Sequence, residues 1–238
     1  MIVLAIDTCD SRGSVALLQD GADLASAEHH SAEEYSAWLL PAVEGVLKKA
    51  GLGMADVEAY GVTSGPGSFT GVRVGLTTVK AWGEVYGKPI VAVSRLEAMA
   101  SQAVTNADYV AAFANAQRGQ VFGAVYRRRG HGLERVGEEV VIAPGKFVEM
   151  AAELVHGGQV AWVSPDTAHL LVEAAWKDRE KWGDKIEPVS GYLAPVIARM
   201  AASEVAAGRC TDALALDANY VRRSDAEIFW KGGGAHGR

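Results

Sequence analysis

The chain opens with short apolar runs separated by polar turns, a pattern typical of strands joined by tight connections. Ile2–Ile6 has the composition of a buried strand, and Asp7 follows at its end. Ser14–Gln19 predicts a second strand. The Asp20-Gly21 pair is a hairpin signal, so a third strand is expected directly after it.

A helix is predicted next, because apolar residues recur at helical spacing after the third strand. Ser31 and Glu34 form a capping-box pattern at its start, and Gly51 is a typical residue just past a helix end. Pro41 lies inside the predicted helix, where it removes one backbone donor. We therefore expect a kink at this proline.

The remaining pattern predicts that the order βββαβαβα occurs twice, which defines an α/β fold with two similar halves. The residues divide into a first domain (1–104), a second domain (105–230) and a glycine-rich tail (231–238) that we expect to be disordered. Within the second half one helix is predicted over Thr167–Trp176. Two facing α/β halves enclose a cleft, which is a common ligand position.

The most distinctive segment is SGPGSFTGVRVGLTTVKAW, from Ser64 to Trp82, a glycine-rich turn that opens a helix. Such turns bind phosphate in many proteins, but here the glycines are followed by neither a Walker lysine nor a Rossmann spacing. A structural turn capped by Ser68 or Thr70 is the favoured interpretation. The small-residue track Gly71, Gly75, Thr78 and Trp82 predicts close approach of another helix, from this chain or from a partner.

Composition limits the function classes. The net charge is −6, so no overall positive field attracts nucleic acid, and the basic groups Arg127–Arg129 and Arg222-Arg223 are expected at turns or strand ends. Cys9 and Cys210 match no zinc or redox spacing and are expected to be free thiols. The apolar start resembles no secretory leader, and no run of residues is long enough for a membrane helix. We expect a cytoplasmic protein.

Five segments together resemble one known family. These are LAIDTCDSRGSVAL, HSAEEYSAWLLPAVEGVLKKAG, SGPGSFTGVRVGLTTVKAW, NAQRGQVFGAVY and ANYVRRSDAE, in this order along the first 228 residues. They look like the TsaB (YeaZ) family, partner proteins in the synthesis of N6-threonylcarbamoyladenosine at position 37 of transfer RNA. The resemblance implies the ASKHA fold of actin and sugar kinases, with a cleft between the two halves.

The resemblance also implies partners. It suggests a non-catalytic subunit that binds and activates the catalytic paralogue TsaD, associates with the ATPase TsaE, and meets transfer RNA only through the complex. The surface expected to contact TsaD, or a second copy of this chain, comprises Trp38, Leu39, Val43, Val46, Gly71, Gly75, Thr78 and Trp82. The balance between homodimer and heterodimer stays open at this point, and so does the presence of ATP or ADP at the junction.

Two departures argue against catalysis. The metal-binding histidine pair of TsaD corresponds here to Arg95 and Met99, which suit a metal site poorly. The turn from Asn115 to Gln117 replaces an Asp-Ala-Arg sequence of the relatives, and none of the six histidines has a ligand spacing. The resemblance places a vestigial phosphate site at Asp7, Thr8 and Ser11, but the favoured role of Asp7 is to tie its loop together and not to act in catalysis. The alternative functions are an independent ASKHA kinase or nucleotide hydrolase and, with less support, a peptidase.

Overall fold

Two five-stranded sheets form the framework of the computed structural model, which describes residues 1–30, 33–130, 132–211, 213 and 215–221. In each sheet the first three strands are antiparallel neighbours and the next two run parallel to the first. The sheet orders β3-β2-β1-β4-β5 and β8-β7-β6-β9-β10 are therefore equivalent, and the duplicated α/β fold is confirmed.

The first sheet consists of β1 (Ile2–Asp7), β2 (Ser14–Gln19), β3 (Ala22–Glu28), β4 (Ala59–Gly65) and β5 (Ile90–Ser94). One face is covered by two helices, α1 (Tyr35–Ala50) and α2 (Phe69–Tyr86). Alternation along β1 places Leu4 and Ile6 under these helices, because successive side chains in a strand point to opposite faces. A short 3₁₀ helix (Met54–Asp56) precedes β4.

The second sheet repeats this arrangement with β6 (Tyr109–Asn115), β7 (Val121–Arg129), β8 (Gly132–Ile142), β9 (Val160–Ser164) and β10 (Lys185–Pro188). Its outer face is covered by α4 (Pro144–Leu154), α5 (Ala168–Leu171) and α6 (Ala174–Lys181). Aromatic rings fill that layer, with Trp162 meeting Phe147 and Trp176 edge-on at centroid distances of 5.7 Å. This layer is therefore a second apolar core. Its edge-to-face ring pairs add to the stabilisation that burial provides.

The last helix of each half packs on the sheet of the other half, so the two helices are exchanged within the chain. The helix α3 (Arg95–Ala100) follows the first sheet but packs on β6 and β7, whereas α7 (Ala194–Ala206) follows the second sheet and packs on β1, β2 and β4. One apolar cluster therefore contains residues of both sheets and both helices. The division at residues 104 and 105 stays a prediction, and the tail from residue 231 lies outside the described residues.

Small side chains allow the exchanged helix α7 to approach the first sheet closely. A Cβ atom at Gly61 of β4 would lie 3.0 Å from Ile197 Cγ2 and 3.2 Å from the Cβ atoms of Ala201 and Ala5. These distances are tighter than ordinary van der Waals contact, so no larger residue fits without movement. The contact between the halves thus depends on glycine and alanine at the crossing point.

Several local predictions change in the structure. The single helix predicted over Thr167–Trp176 is two short helices, α5 and α6, separated at Val172 and Glu173. The helix α1 continues through Pro41. It begins at Tyr35, and the side chain of the N-cap residue Glu34 makes no capping hydrogen bond. Ser31, the other half of the predicted capping box, lies outside the described residues.

Substituting Gly61 by Val should lower the free energy of unfolding by about 1–3 kcal/mol, because the added methyl groups overfill the contact with α7. Gly45 is a matched control, since it lies exposed in α1 and a Cβ atom added there would have no neighbouring atom within 4 Å. Gly45→Ala should raise the free energy of unfolding by about 0.5–1 kcal/mol. Urea unfolding measures both changes, and equal effects at the two sites would contradict the close contact.

Candidate functional site

A cleft of about 820 Å³ lies between the two halves. The loop after β1 (Cys9–Arg12, here called the cleft loop) forms one wall, and the glycine-rich loop with the start of α2 forms the next. The turn Asn115–Arg118 and Asp166 face them from the second half. The cleft is thus built where the duplicated fold predicts it, at the carboxyl ends of the central strands.

A buried cation forms the floor of this cleft. Arg95, the first residue of α3, is 1% exposed and makes an ion pair with Asp10 of the cleft loop. Burial alone would raise the pKa of Asp10, but the charges of Arg95 and then Arg12 outweigh burial and lower it. The Asp10 carboxylate therefore stays ionised and neutralises the buried guanidinium.

Arg12 extends this pair across the cleft. Its Nη2 lies 2.9 Å from Asp10 Oδ2 and 2.8 Å from Asp166 Oδ2, and its Nη1 donates to Asp166 Oδ1 at 2.9 Å. Asp166 follows β9 in the second half, so a bidentate carboxylate–guanidinium contact joins the two walls. The hydrogen bond from Arg12 lowers the pKa of Asp166. We name Arg95, Asp10, Arg12 and Asp166 the ionic clasp.

The predicted phosphate residues do not face the cleft as a group. Asp7 is fully buried, and its Oδ1 accepts hydrogen bonds from Thr63 Oγ1 at 2.6 Å and Cys9 N at 3.0 Å. Burial raises the pKa of Asp7. Thr8 is also buried and donates its hydroxyl to Gly71 O at 2.6 Å. Only Ser11 lines the cleft, so the prediction is corrected for the other two residues.

The glycine-rich loop is a packed turn. Ser68 caps α2, and its Oγ accepts from Gly71 N at 3.4 Å, as the sequence indicated. A Cβ atom at Gly67 would overlap the backbone of Cys9, and one at Gly71 would overlap the carbonyl oxygen of Thr8. These glycines let α2 lie directly against the cleft loop.

The small-residue track faces the same way, which corrects its predicted role. Gly71 and Gly75 are buried, and a Cβ atom at Gly75 would lie 2.7 Å from Thr8 Oγ1. The neighbour that approaches α2 is therefore Thr8 of this chain, directly before the cleft loop. A large residue at Gly75 would disturb the fold itself, so it cannot test an interface without changing the fold.

The α1 residues of the predicted partner surface are also mostly internal. Leu39, Val43 and Val46 are 1%, 4% and 3% exposed and belong to the core under the first sheet. Trp38 and Trp82 are half-buried against that core. Thr78 is half-buried too, and its hydroxyl donates to Val74 O at 2.8 Å. The exposed faces of α1 and α2 lie elsewhere on these helices.

A second, shallower groove of about 530 Å³ runs between α1 and α2. Leu40 is 57% exposed at this groove, and Thr77 is exposed opposite it. Phe69 and Arg73 line its end, where the Arg73 guanidinium lies 3.7 Å from the Phe69 ring centroid. Periodicity alone does not reveal which apolar stripe of a helix meets the sheet. Of the residues predicted for a partner, Leu39 and Thr78 line this groove, whereas Val43, Val46, Gly71 and Gly75 are buried inside the first half.

Other predicted features have structural roles. Arg128 donates to the carbonyl oxygens of Ala103, Thr105 and Ala107, which fixes a strand end as expected for this basic group. His29, for which the sequence favours a solvated or capping position, is only 6% exposed. Cys9 and Cys210 are free. Among the described residues there is no cluster of metal-ligating side chains and no helix apolar and long enough to cross a membrane.

The ionic clasp is absent from the predictions made from sequence. Arg95 stands out there only as a position where the paralogue has a histidine. Asp10 and Arg12 lie in the first family-like segment without a role assigned to them, and Asp166 lies in none of the five segments. Asp166 lies 154 residues from Arg12 along the chain. The only available signal is the duplication itself, which places the ends of β1 and β9 on opposite walls of one cleft.

Comparison with known proteins defines the class first. The family model of TsaD, described as tRNA N6-adenosine threonylcarbamoyltransferase, matches residues 27–214. The structure resembles an ROK hexokinase from Thermus thermophilus at 14% identity, with a TM-score of 0.51 over 85% of this chain and 98% of that one. The chain therefore has the ASKHA fold, in its TsaD-like form.

Within that class the chain belongs to the TsaB (YeaZ) family. It is 30% identical over 209 residues to the tRNA threonylcarbamoyladenosine biosynthesis protein TsaB of Escherichia coli, covering 84% of this chain and 87% of that protein. The TsaB of Bacillus subtilis is 31% identical over 64% of this chain and 67% of its own length. YeaZ from Pseudomonas aeruginosa superposes with a TM-score of 0.71 at 26% identity, covering 92% and 99% of the two chains.

Replacing Arg95 by Met should lower the free energy of unfolding by about 3–5 kcal/mol, because the Asp10 carboxylate would lose its buried counter-charge. Arg199→Met is the matched control, since Arg199 makes an exposed ion pair with Asp23. The control should change stability by less than about 0.5 kcal/mol. If urea unfolding shows the two variants to be equally stable, the clasp does not support the fold.

Acid should weaken the clasp at Asp166. The folded-state pKa of this carboxyl lies below its ordinary value of 3.8, so its contribution is present above that value and is lost as the pH falls through the folded pKa. Asp166→Asn should therefore lower the melting temperature at pH 7 and flatten its fall below pH ~4. Asp178→Asn, in an exposed pair with Lys181, is the control and should melt like the parent protein throughout. Identical acid profiles for Asp166→Asn and the parent protein would contradict this assignment.

Proposed function

We propose that this protein is a non-catalytic subunit in the formation of N6-threonylcarbamoyladenosine at position 37 of transfer RNA. In this role it binds and activates the catalytic paralogue TsaD and works with the ATPase TsaE. Membership of the TsaB family, whose curated members are named as biosynthesis proteins for this modified nucleoside, supports the pathway. The observation that carries the non-catalytic role is the buried Arg95–Asp10 pair.

The pair argues against metal-assisted nucleotide chemistry in this cleft. A magnesium ion with phosphates needs carboxylate or hydroxyl oxygens that are free to coordinate it. Here Asp10 Oδ2 already faces two guanidinium groups, and Asp10 Oδ1 accepts from Arg12 N at 2.8 Å. Asp7 is buried away from the cleft, and the Thr8 hydroxyl donates to Gly71 O. A fully buried arginine also repels a second cation. These residues fit a permanently closed clasp better than a metal–nucleotide site, so no reaction step is assigned to them.

The partner surface proposed here is the exposed groove between α1 and α2. Leu40, Val74 and Thr77 line it, and the exposed part of α1 beside it carries the small residues Ala37, Pro41 and Gly45. Small and apolar residues allow helices to pack closely with little desolvation cost. Since the TsaD model itself matches this chain, the paralogue has equivalent helices and can present a similar face. A second copy of this chain can present the same face.

Leu40→Glu should abolish the complex with TsaD, because it places a charge in the apolar groove. Leu171→Glu is the matched control, since Leu171 is similarly exposed, at 50% against 57% for Leu40, but lies in the second half. Co-purification with TsaD and formation of the modified nucleoside on transfer RNA by the reconstituted proteins are the two measurements. Binding by Leu40→Glu as strong as by the control would show that the groove is not the interface.

Calorimetry of the isolated chain with ATP and magnesium tests the non-catalytic role independently. We expect no turnover by this chain alone. Tight binding with hydrolysis would overturn the proposal and favour an independent nucleotide hydrolase. If the parent protein and Leu171→Glu are both folded and neither co-purifies with TsaD, the partner role is overturned.

A further inference from the structure

A buried histidine joins the cleft loop to the start of α1. His29 follows β3, is 6% exposed, and its backbone N–H donates to Gly13 O at 2.8 Å. Its ring packs against Tyr35 at a centroid distance of 4.6 Å and edge-on against Trp38 at 5.0 Å. The proposed function assigns no role to this residue.

Both ring nitrogens of His29 face backbone carbonyl oxygens. Nδ1 lies 3.3 Å from Ser11 O, and Nε2 lies 2.8 Å from Glu33 O. A carbonyl oxygen accepts hydrogen bonds and never donates one, so each contact requires a proton on the histidine nitrogen. A neutral imidazole carries only one such proton. Both hydrogen bonds therefore form together only in the imidazolium.

The charged and titratable groups around His29 come from four places. Tyr35 of α1 donates its hydroxyl to Asp10 O, and burial is the main cause of its raised pKa, so it stays neutral. The groups on the surrounding elements are Asp10 and Arg12 of the cleft loop, Glu33 and Glu34 before α1, and Glu28 and His30 beside His29 in sequence. Four of these six are acidic and two are basic.

We propose that His29 is a proton-dependent clamp between the cleft loop and α1. Protonation adds the second carbonyl hydrogen bond, so that one ring links Ser11 O to Glu33 O. Deprotonation removes one bond and leaves one buried carbonyl facing a nitrogen lone pair, which is unfavourable. Histidine is the side chain whose ordinary charge change falls between pH 5 and 8, and this interval sets the pH values of the test. The clamp does not depend on the identity of any partner.

Urea unfolding of the full chain at pH 6 and pH 8 tests the clamp. Relative to His29→Gln, the parent protein should gain about fivefold in its folding equilibrium constant on moving from pH 8 to pH 6, the effect of one net hydrogen bond. His30→Gln is the control, because His30 is exposed and contacts Glu28 and Tyr192 instead. It should show the same pH dependence as the parent protein.

A second measurement does not require the variant to fold. Nitrogen-15 spectra of the parent protein at pH 6 should show both ring nitrogens of His29 protonated. Observation of only one protonated nitrogen at pH 6 would overturn the proposal. Equal pH dependence in the parent protein and a folded His29→Gln variant would overturn it as well.

Discussion

The structure depends on compensating one buried positive charge. Arg95 begins the helix that crosses from the first sheet to the second, so its guanidinium lies at the junction of both halves and the cleft. A charge in that position is tolerated only when it is paired and hydrogen-bonded. Asp10 supplies the pair, Arg12 shares the same carboxylate, and Asp166 balances Arg12 from the opposite wall. The two walls of the cleft are therefore joined by these four charged side chains.

Much of the fold could be predicted from sequence, since it follows from local periodicity. The three antiparallel strands at the start of each half, the two long helices and the duplicated order all follow from patterns within a few turns of chain. The exchange of α3 and α7 does not, because it is a long-range packing choice between surfaces of similar composition. The single helix predicted over residues 167–176 was wrong, because the helix is interrupted at Val172 and Glu173.

The site was harder to predict than the fold, and the reasons are physical. A glycine track shows that something approaches a helix closely, but it does not identify the neighbour. At Gly71 and Gly75 the neighbour is Thr8 of the same chain. Likewise, the prediction placed Asp7 among phosphate-facing residues, whereas burial and two hydrogen bonds make it a turn-fixing group. The glycines at positions 67 and 71 are therefore explained by their close packing against Cys9 and Thr8.

The cleft loop, which supplies two residues of the ionic clasp, and the proposed partner surface lie on the same half of this chain. An enzyme that opens and closes around a nucleotide changes the relative positions of its helices during each cycle. In this structure the ionic clasp joins the two walls of the cleft, and α1 and α2 pack on the same sheet. A preformed helix pair loses less conformational entropy when a partner binds than a mobile one does. A helix pair already packed on one sheet thus suits the protein contact proposed for the exposed groove between α1 and α2.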